Sequence, residues 1–329
     1  MIYPPFLKSG SKIGVTAPSS GIAQEDREYF ERSLEKIRRE GYNVTLTDNV
    51  YRCDGIASTD ANSRAEQLTG LLKDKSVDMI WASCGGDMLV QMLPHLDYRD
   101  FSNNPKWIMG YSDITGLVFP VTVKCDIATL YGPNAGSFDS ADLHTAQKNV
   151  FRILSGDIPV QNSYPRYERK RDDSIDGYNL DSDTAWISPS GDFSVSGRLI
   201  GGCLDCLQTL TGTPYGDVAP MLEKYASDGF IWYLDIFALS STATYYALWN
   251  MAEAGWFKYA KGIMVSRVCF PSTEYDLSYE EAVRSALGDI PIVLETEVGH
   301  VKPQFTLVNG SLATLTVKGK GGSLEQKLV

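Results

Sequence analysis

Ser112 lies in "KWIMGYSDITGLV", residues 106–118, where an apolar, strand-like run passes through Gly110 into a serine and then into helix-like residues. A strand that turns sharply into a helix projects the turn side chain beyond the carboxyl edge of its sheet, and a glycine two positions earlier leaves room for the turn. The helix that follows offers backbone N–H groups with no intrahelical partner, so the amide of Asp113 is suited to bind a developing oxyanion. A second donor can come from "CGGD", Cys84 to Asp87, which ends another strand-like run with two glycines that permit close backbone approach. The arrangement suits acyl transfer. The alternative is structural: Ser112 as the N-cap of the next helix.

A serine hydroxyl needs a base, most often histidine, and the chain has three. His95 sits between apolar residues in "MLPHLDY" and reads as a surface or hinge residue, while His144 in "ADLHTAQK" reads as a solvent-facing helix position. His300 follows the strand-like "PIVLETEVG" and precedes the loop "VKPQF", where an α/β scaffold presents working residues. It is the candidate base, with a plain loop histidine as the alternative. A carboxylate should fix the tautomer of that base. Asp235 closes "GFIWYLD", and a charge after a mainly apolar run needs a reason, of which strand termination is the simpler one. Cys203 and Cys206 in "CLDC" have thiol-pair spacing without a second pair or a nearby histidine, so a redox or metal role is disfavoured against core packing. No metal site is expected.

These residues need a scaffold, and the chain supplies alternation. "KIGVTAP", "YNVTLTD", "VDMIWASC", "KWIMGYS" and "CDIATLYG" read as strands. Between them lie helical segments at "QEDREYFERSLEKIRREG", at "STDANSRAEQLTGLLKD" capped by Ser58 or Thr59, and around "MLVQMLPHL"; "ADLHTAQKNVFRILSG" closes the unit near residue 156. Such alternation predicts a parallel sheet flanked by helices. Residues 157–195 lose periodicity and are expected to cross between domains. From 196 to 329 short β-rich segments dominate, with helices at "TATYYALWNMAEAGWF" and "SYEEAVRSALG".

The 329 residues are more than one core usually covers. With 43% hydrophobic and 22% charged residues the composition is globular, and no apolar run reaches membrane-spanning length. The N-terminus lacks a signal-peptide pattern, so the expected location is the cytoplasm. A net charge of −11 disfavours nucleic-acid polymers and anionic membranes. The one basic cluster, "RYERKRDD" from Arg166 to Asp173, carries its own counter-charges and reads as a solvated loop. Six dispersed cysteines are expected to be reduced.

Several motifs together resemble one family. "CGGD", "LPHLDY", "NPKWIMGYSDITGL", "YGPNAGSF", "GRLIGGCLDCLQTLTGTPY", "FIWYLD" and "VGHVKPQFTLVNGSLATL" stand in the order and at the separations of the LD-carboxypeptidase family of serine peptidases. "CGGDM" and "LYGPNAGSF" look closer to its microcin C self-immunity branch than to the muramoyltetrapeptide carboxypeptidases of murein recycling. The resemblance implies a flavodoxin-like or glutamine-amidotransferase-like N-terminal α/β domain bearing the serine, and a C-terminal β-rich domain bearing the acid and the histidine. It implies Ser112 as nucleophile, His300 as base, Asp235 as orienting acid, and the amides of Gly86 and Asp113 as oxyanion hole. It further implies no cofactor, a cytoplasmic homodimer, and a small peptide or peptidyl-nucleotide substrate. Aspartate stands where the family has glutamate, shorter by one methylene, which makes a ligand-binding relative without turnover the competing expectation. Trp186, in "DTAWISPSG", is a candidate platform for a flat substrate group, with buried packing as its alternative.

Overall fold

The computed structural model describes residues 1–172 and 174–329, in two compact units, Met1–Ile158 and Pro159–Val329. Asp173, the last residue of the basic cluster, lies outside the described residues.

The first unit is built on parallel strands β1 (Lys12–Thr16), β2 (Asn43–Leu46), β3 (Met79–Ala82), β4 (Trp107–Gly110) and β5 (Thr129–Tyr131), in the spatial order β5-β4-β3-β1-β2. β3, β4 and β5 are buried at every position, which is why they read as unbroken apolar runs rather than alternating ones. Helices α1 (Arg27–Arg39), α2 (Ala61–Lys73), α3 (Tyr98–Asn103) and α4 (Thr115–Cys125) connect them, and α5 (Thr145–Ser155) follows β5. α1 buries Phe30, Leu34 and Ile37, the spacing of one helical face. α2 is capped by Asp60 and not by Ser58 or Thr59, because the Ser58 hydroxyl is already committed to the Ala17 carbonyl, while the Asp60 carboxylate accepts from the amide and hydroxyl of Ser63. His144 corrects a second expectation. Half-buried, it is the N-cap of α5, its Nδ1 accepting from the Ala146 amide at 3.1 Å, and burial lowers its pKa. His95 ends a short 3-10 segment, Leu89–His95, and is exposed as expected.

In the second unit the stretch expected to cross between domains already builds structure: β6 (Gln161–Asn162) joins the main sheet, and β7 (Arg166–Tyr167), the first two residues of the basic cluster, pairs with β8 (Ser182–Asp183). The remaining strands are β9 (Phe193–Cys203), β10 (Phe230–Asp235), β11 (Ala260–Ser266), β12 (Ile292–Thr296), β13 (Leu307–Asn309), β14 (Leu312–Lys318) and β15 (Gly321–Lys327). The main sheet is mixed, in the order β12-β11-β10-β9-β14-β15-β6, with β9 to β12 parallel and β14, β15 and β6 antiparallel. Helices α6 (Leu204–Leu210), α7 (Ala219–Lys224), α8 (Ser241–Glu253) and α9 (Tyr279–Leu287) complete the unit. Within the sheet β10 is buried at all six positions, so the charge at its end, Asp235, is fully enclosed. Among the described residues no helix is long and apolar enough to cross a membrane.

Candidate active site

The corner carrying Ser112 is strained in a specific way. Ser112 has φ of 66°, in the left-handed region that a non-glycine residue enters at a cost of about 1–3 kcal/mol. A side chain at Gly110 could not be accommodated, since an added Cβ would lie 2.7 Å from the Ile114 Cγ2 and 2.8 Å from the Asn134 Oδ1. The N-cap position of the short 3-10 turn Ser112–Ile114 belongs to Tyr111, so Ser112 is not the cap of the element it opens. Asn134 and Tyr131 hold the corner from the next segment, accepting from the amides of Tyr111 at 3.2 Å and Ser112 at 3.4 Å.

The glycine loop comes against the serine within the same unit. An added Cβ on Gly85 would lie 3.0 Å from the Ser112 Cβ and 3.1 Å from its Oγ, while Gly86, at φ of 147°, packs under the hydroxyls of Ser19 and Ser20. The Asp113 side chain ties this region together. Its carboxylate, almost wholly buried, accepts from the Ser19 hydroxyl and, at 2.8 Å, from the Leu89 amide. Burial pushes its pKa up, and the two hydrogen bonds pull against that rise. Cys84, beside these glycines, is a packing thiol: burial pushes its pKa to about 11.

The second unit brings Asp235 and His300 together. The Nδ1–H of His300 donates to the Asp235 Oδ2 at 2.7 Å, and the His300 backbone amide donates to the other carboxylate oxygen at 3.2 Å. The aspartate reaches because Gly299 lets it. Gly299 has φ of 74°, and an added Cβ would fall 1.8 Å from the Asp235 Cγ, so the carboxylate occupies the space a side chain would need. Backbone approach thus replaces the methylene that glutamate would have supplied. The Phe237 ring packs on the imidazole at 4.5 Å between centroids, and the Asp205 carboxylate fixes its loop by accepting from the amides of Phe237 and Ala238, each at 2.9 Å. In this pair Nδ1 is occupied, which leaves Nε2 as the basic nitrogen.

Other candidates fall differently. Trp186 has almost no exposed surface: its indole N–H donates to the Glu297 Oε2 at 2.7 Å and its ring packs near Phe305, so it has no free face on which to stack a ligand and is a core residue of the second unit. Glu297 is also paired with Arg267 at 2.9 Å, both groups fully enclosed. None of the six cysteines forms a disulfide. The hydrogen bond with Cys206, and then burial, push the Cys203 thiol far above its ordinary value. Three features had little sequence signal: the enclosing role of Gly299, the ring of Phe237, and Lys302, whose Nζ is sealed from solvent and whose pKa burial lowers to about 8.

Comparison with known proteins bears on the whole chain. Residues 13–132 match the model of the LD-carboxypeptidase N-terminal domain and residues 196–315 that of the LD-carboxypeptidase C-terminal domain. A carboxypeptidase-named protein of Treponema pallidum is 27% identical over 327 residues, covering 96% of this chain and 92% of the relative. An MccF-like protein from Bacillus anthracis superposes with a TM-score of 0.81 over 100% of both chains at 24% identity. The microcin C7 self-immunity protein MccF, solved with aspartyl sulfamoyl adenosine, superposes with a TM-score of 0.80 over 99% of both chains at 21% identity. The two structural likenesses speak to the fold alone.

Proposed function

The chain belongs to the LD-carboxypeptidase family and is a serine-type carboxypeptidase, and from that premise we propose that Ser112, His300 and Asp235 act as one catalytic triad on a small peptide or peptidyl-nucleotide. Ser112 Oγ attacks the carbonyl of an amide near the carboxyl end of the substrate while His300 Nε2 takes its proton. The amides of Gly86 and Asp113 hold the oxyanion. His300 returns the proton to the leaving amine, and water, activated by the same nitrogen, releases the acyl group. Asp235 keeps the imidazole in the tautomer this cycle needs.

The observation that carries the reading is the 2.7 Å bond between His300 and Asp235, since the shortened acid was the one feature that favoured a ligand-binding protein without turnover. The strained Ser112 supports it from the other unit. The motifs "CGGDM" and "LYGPNAGSF", closer to the microcin C self-immunity branch, favour a peptidyl-nucleotide substrate over a murein tetrapeptide. The test is incubation of the purified protein with an aminoacyl sulfamoyl adenosine and with an LD-linked murein tetrapeptide, following amine release by mass spectrometry. Release from the nucleotide alone supports this substrate class; release from the tetrapeptide alone assigns the enzyme to murein turnover. The same reading expects a cytoplasmic homodimer, which sedimentation of the purified protein checks for oligomeric state.

A further inference from the structure

We propose that Cys203, Asp235 and His300 form a binding site for a thiophilic divalent cation such as zinc, and that its occupancy switches off the base function of His300. β9 ends in Cys203 and β10 ends in Asp235, and the two residues are direct partners in the parallel register. His300 reaches the same point from the loop after β12. The Cys203 Sγ, an Asp235 oxygen and a His300 ring nitrogen all lie within 4.8 Å of one another, the only such group of three among the described residues.

The donor set and its spacing fit zinc. Tetrahedral zinc takes sulfur at about 2.3 Å and nitrogen or oxygen at about 2.0–2.1 Å, which places ligand atoms roughly 3.3–3.6 Å apart. The His300–Asp235 contact at 2.7 Å must open by about 0.6 Å and the sulfur, within 4.8 Å of the other two, close by up to about 1.2 Å, movements within reach of side-chain rotation. One sulfur, one imidazole and one carboxylate select a borderline-soft ion over magnesium or calcium. Cys206, hydrogen-bonded to Cys203, is a nearby second sulfur, and the Asp205 carboxylate, 3.8 Å from the Cys203 Sγ and fixed by two backbone amides, supports the thiol from behind.

The consequence follows from proton bookkeeping. Without metal, the imidazole proton sits on Nδ1 in the bond to Asp235, and Nε2 carries the lone pair. Metal at Nδ1 takes the place of the proton there, that proton moves to Nε2, and the thiol proton leaves to solvent, so one proton is released per cation. A protonated Nε2 can no longer accept the proton of Ser112. The inhibitory consequence rests on the hydrolase reading; the binding does not.

The experiment is calorimetric titration of wild type, Cys203→Ala and Cys203→Ser with zinc chloride in two buffers of different ionisation enthalpy, with cobalt(II) absorption and fluorophosphonate labelling in parallel. One zinc per chain, one proton released and a thiolate-to-cobalt charge-transfer band are expected on wild type. Removing an inner ligand should weaken binding by more than the ~10–100-fold lost with an outer-shell partner. Zinc should suppress labelling of wild type, a chelator should restore it, and labelling of Cys203→Ala should not respond to the same zinc. Folded wild type that binds no zinc, or either variant binding it as tightly as wild type, overturns the site; zinc binding that leaves labelling at its metal-free rate overturns the switch. Metal-free wild type that takes no label contradicts the hydrolase reading, and calorimetry, which needs no activity, then decides the site by itself.

Discussion

Gly299→Ala is the substitution that most sharply tests how a short acid orients the histidine. The new Cβ would lie 1.8 Å from the Asp235 Cγ, against an ordinary contact of 3.4 Å or more, so the carboxylate must retreat by about 1.6 Å. A bond of 2.7 Å stretched by that distance becomes a separation of about 4.3 Å, which is no longer a hydrogen bond. Losing the correct tautomer in a serine triad costs about 10⁴ in rate, or roughly 5.5 kcal/mol of transition-state stabilisation. The alanine also pays about 1–2 kcal/mol for its left-handed conformation. Gly255→Ala isolates that second cost, because Gly255 has nearly the same φ, 79°, and no atom near the position of an added Cβ. The assay is the second-order rate of fluorophosphonate labelling, measured beside thermal unfolding of both variants. Gly255→Ala should lose stability and keep its labelling rate, while Gly299→Ala should lose stability and at least about 10³ in rate. Folded Gly299→Ala labelled within threefold of wild type would refute the argument that this close approach positions the base.

Three more outcomes follow from the same contacts. Asp235→Glu, which installs the residue that the resemblance implies, should here lower both stability, by about 1–3 kcal/mol, and labelling, because the enclosed carboxylate already fills the space beside Gly299; equal or faster labelling would contradict this. Trp186→Phe should cost about 1.5–3 kcal/mol in chemical denaturation, since the enclosed Glu297 carboxylate loses a donor, with turnover per folded molecule unchanged; a rise in KM at unchanged stability would return Trp186 to the substrate. Lys302 sets a pH dependence. Its folded pKa is lowered to about 8 from 10.5, so both states are protonated below pH 8 and the native state bears the full cost of the buried charge. Between about pH 8 and 10.5 the native state gives up its proton while the unfolded state keeps it, so stability contributed by this group rises with pH. Denaturation of wild type and Lys302→Met across that window should differ by this slope, and parallel curves would show that Lys302 does not titrate there.

What could be read from the residues was what depends on neighbours in sequence. The Ser112 corner was readable because strand, glycine, serine and helix are consecutive, and His300 because three histidines leave few choices. Asp235 stood out as a charge at the end of an apolar run, which the fully enclosed strand explains. What escaped depends on partners distant in the chain. Asp60 rather than Ser58 caps α2 because Ser58 is taken by Ala17, 41 residues away. The choice between buried packing and a substrate platform for Trp186 stayed open because its partners, Glu297 and Phe305, come more than a hundred positions later. The aperiodic 157–195 stretch hid β6 to β8 because two-residue strands carry no period. The compensation for the shortened acid was invisible for the same reason: Gly299 reads as a turn residue, and its closeness to Asp235 exists only once β10 and β12 share a sheet.

The central claim, that one activated serine is served by His300, is tested most directly by the intact mass of the protein after incubation with a fluorophosphonate probe, for wild type, Ser112→Ala and His300→Ala. The account predicts a single adduct on wild type and none on either variant. A wild type that stays unmodified while folded, or an adduct that persists on Ser112→Ala, would contradict it.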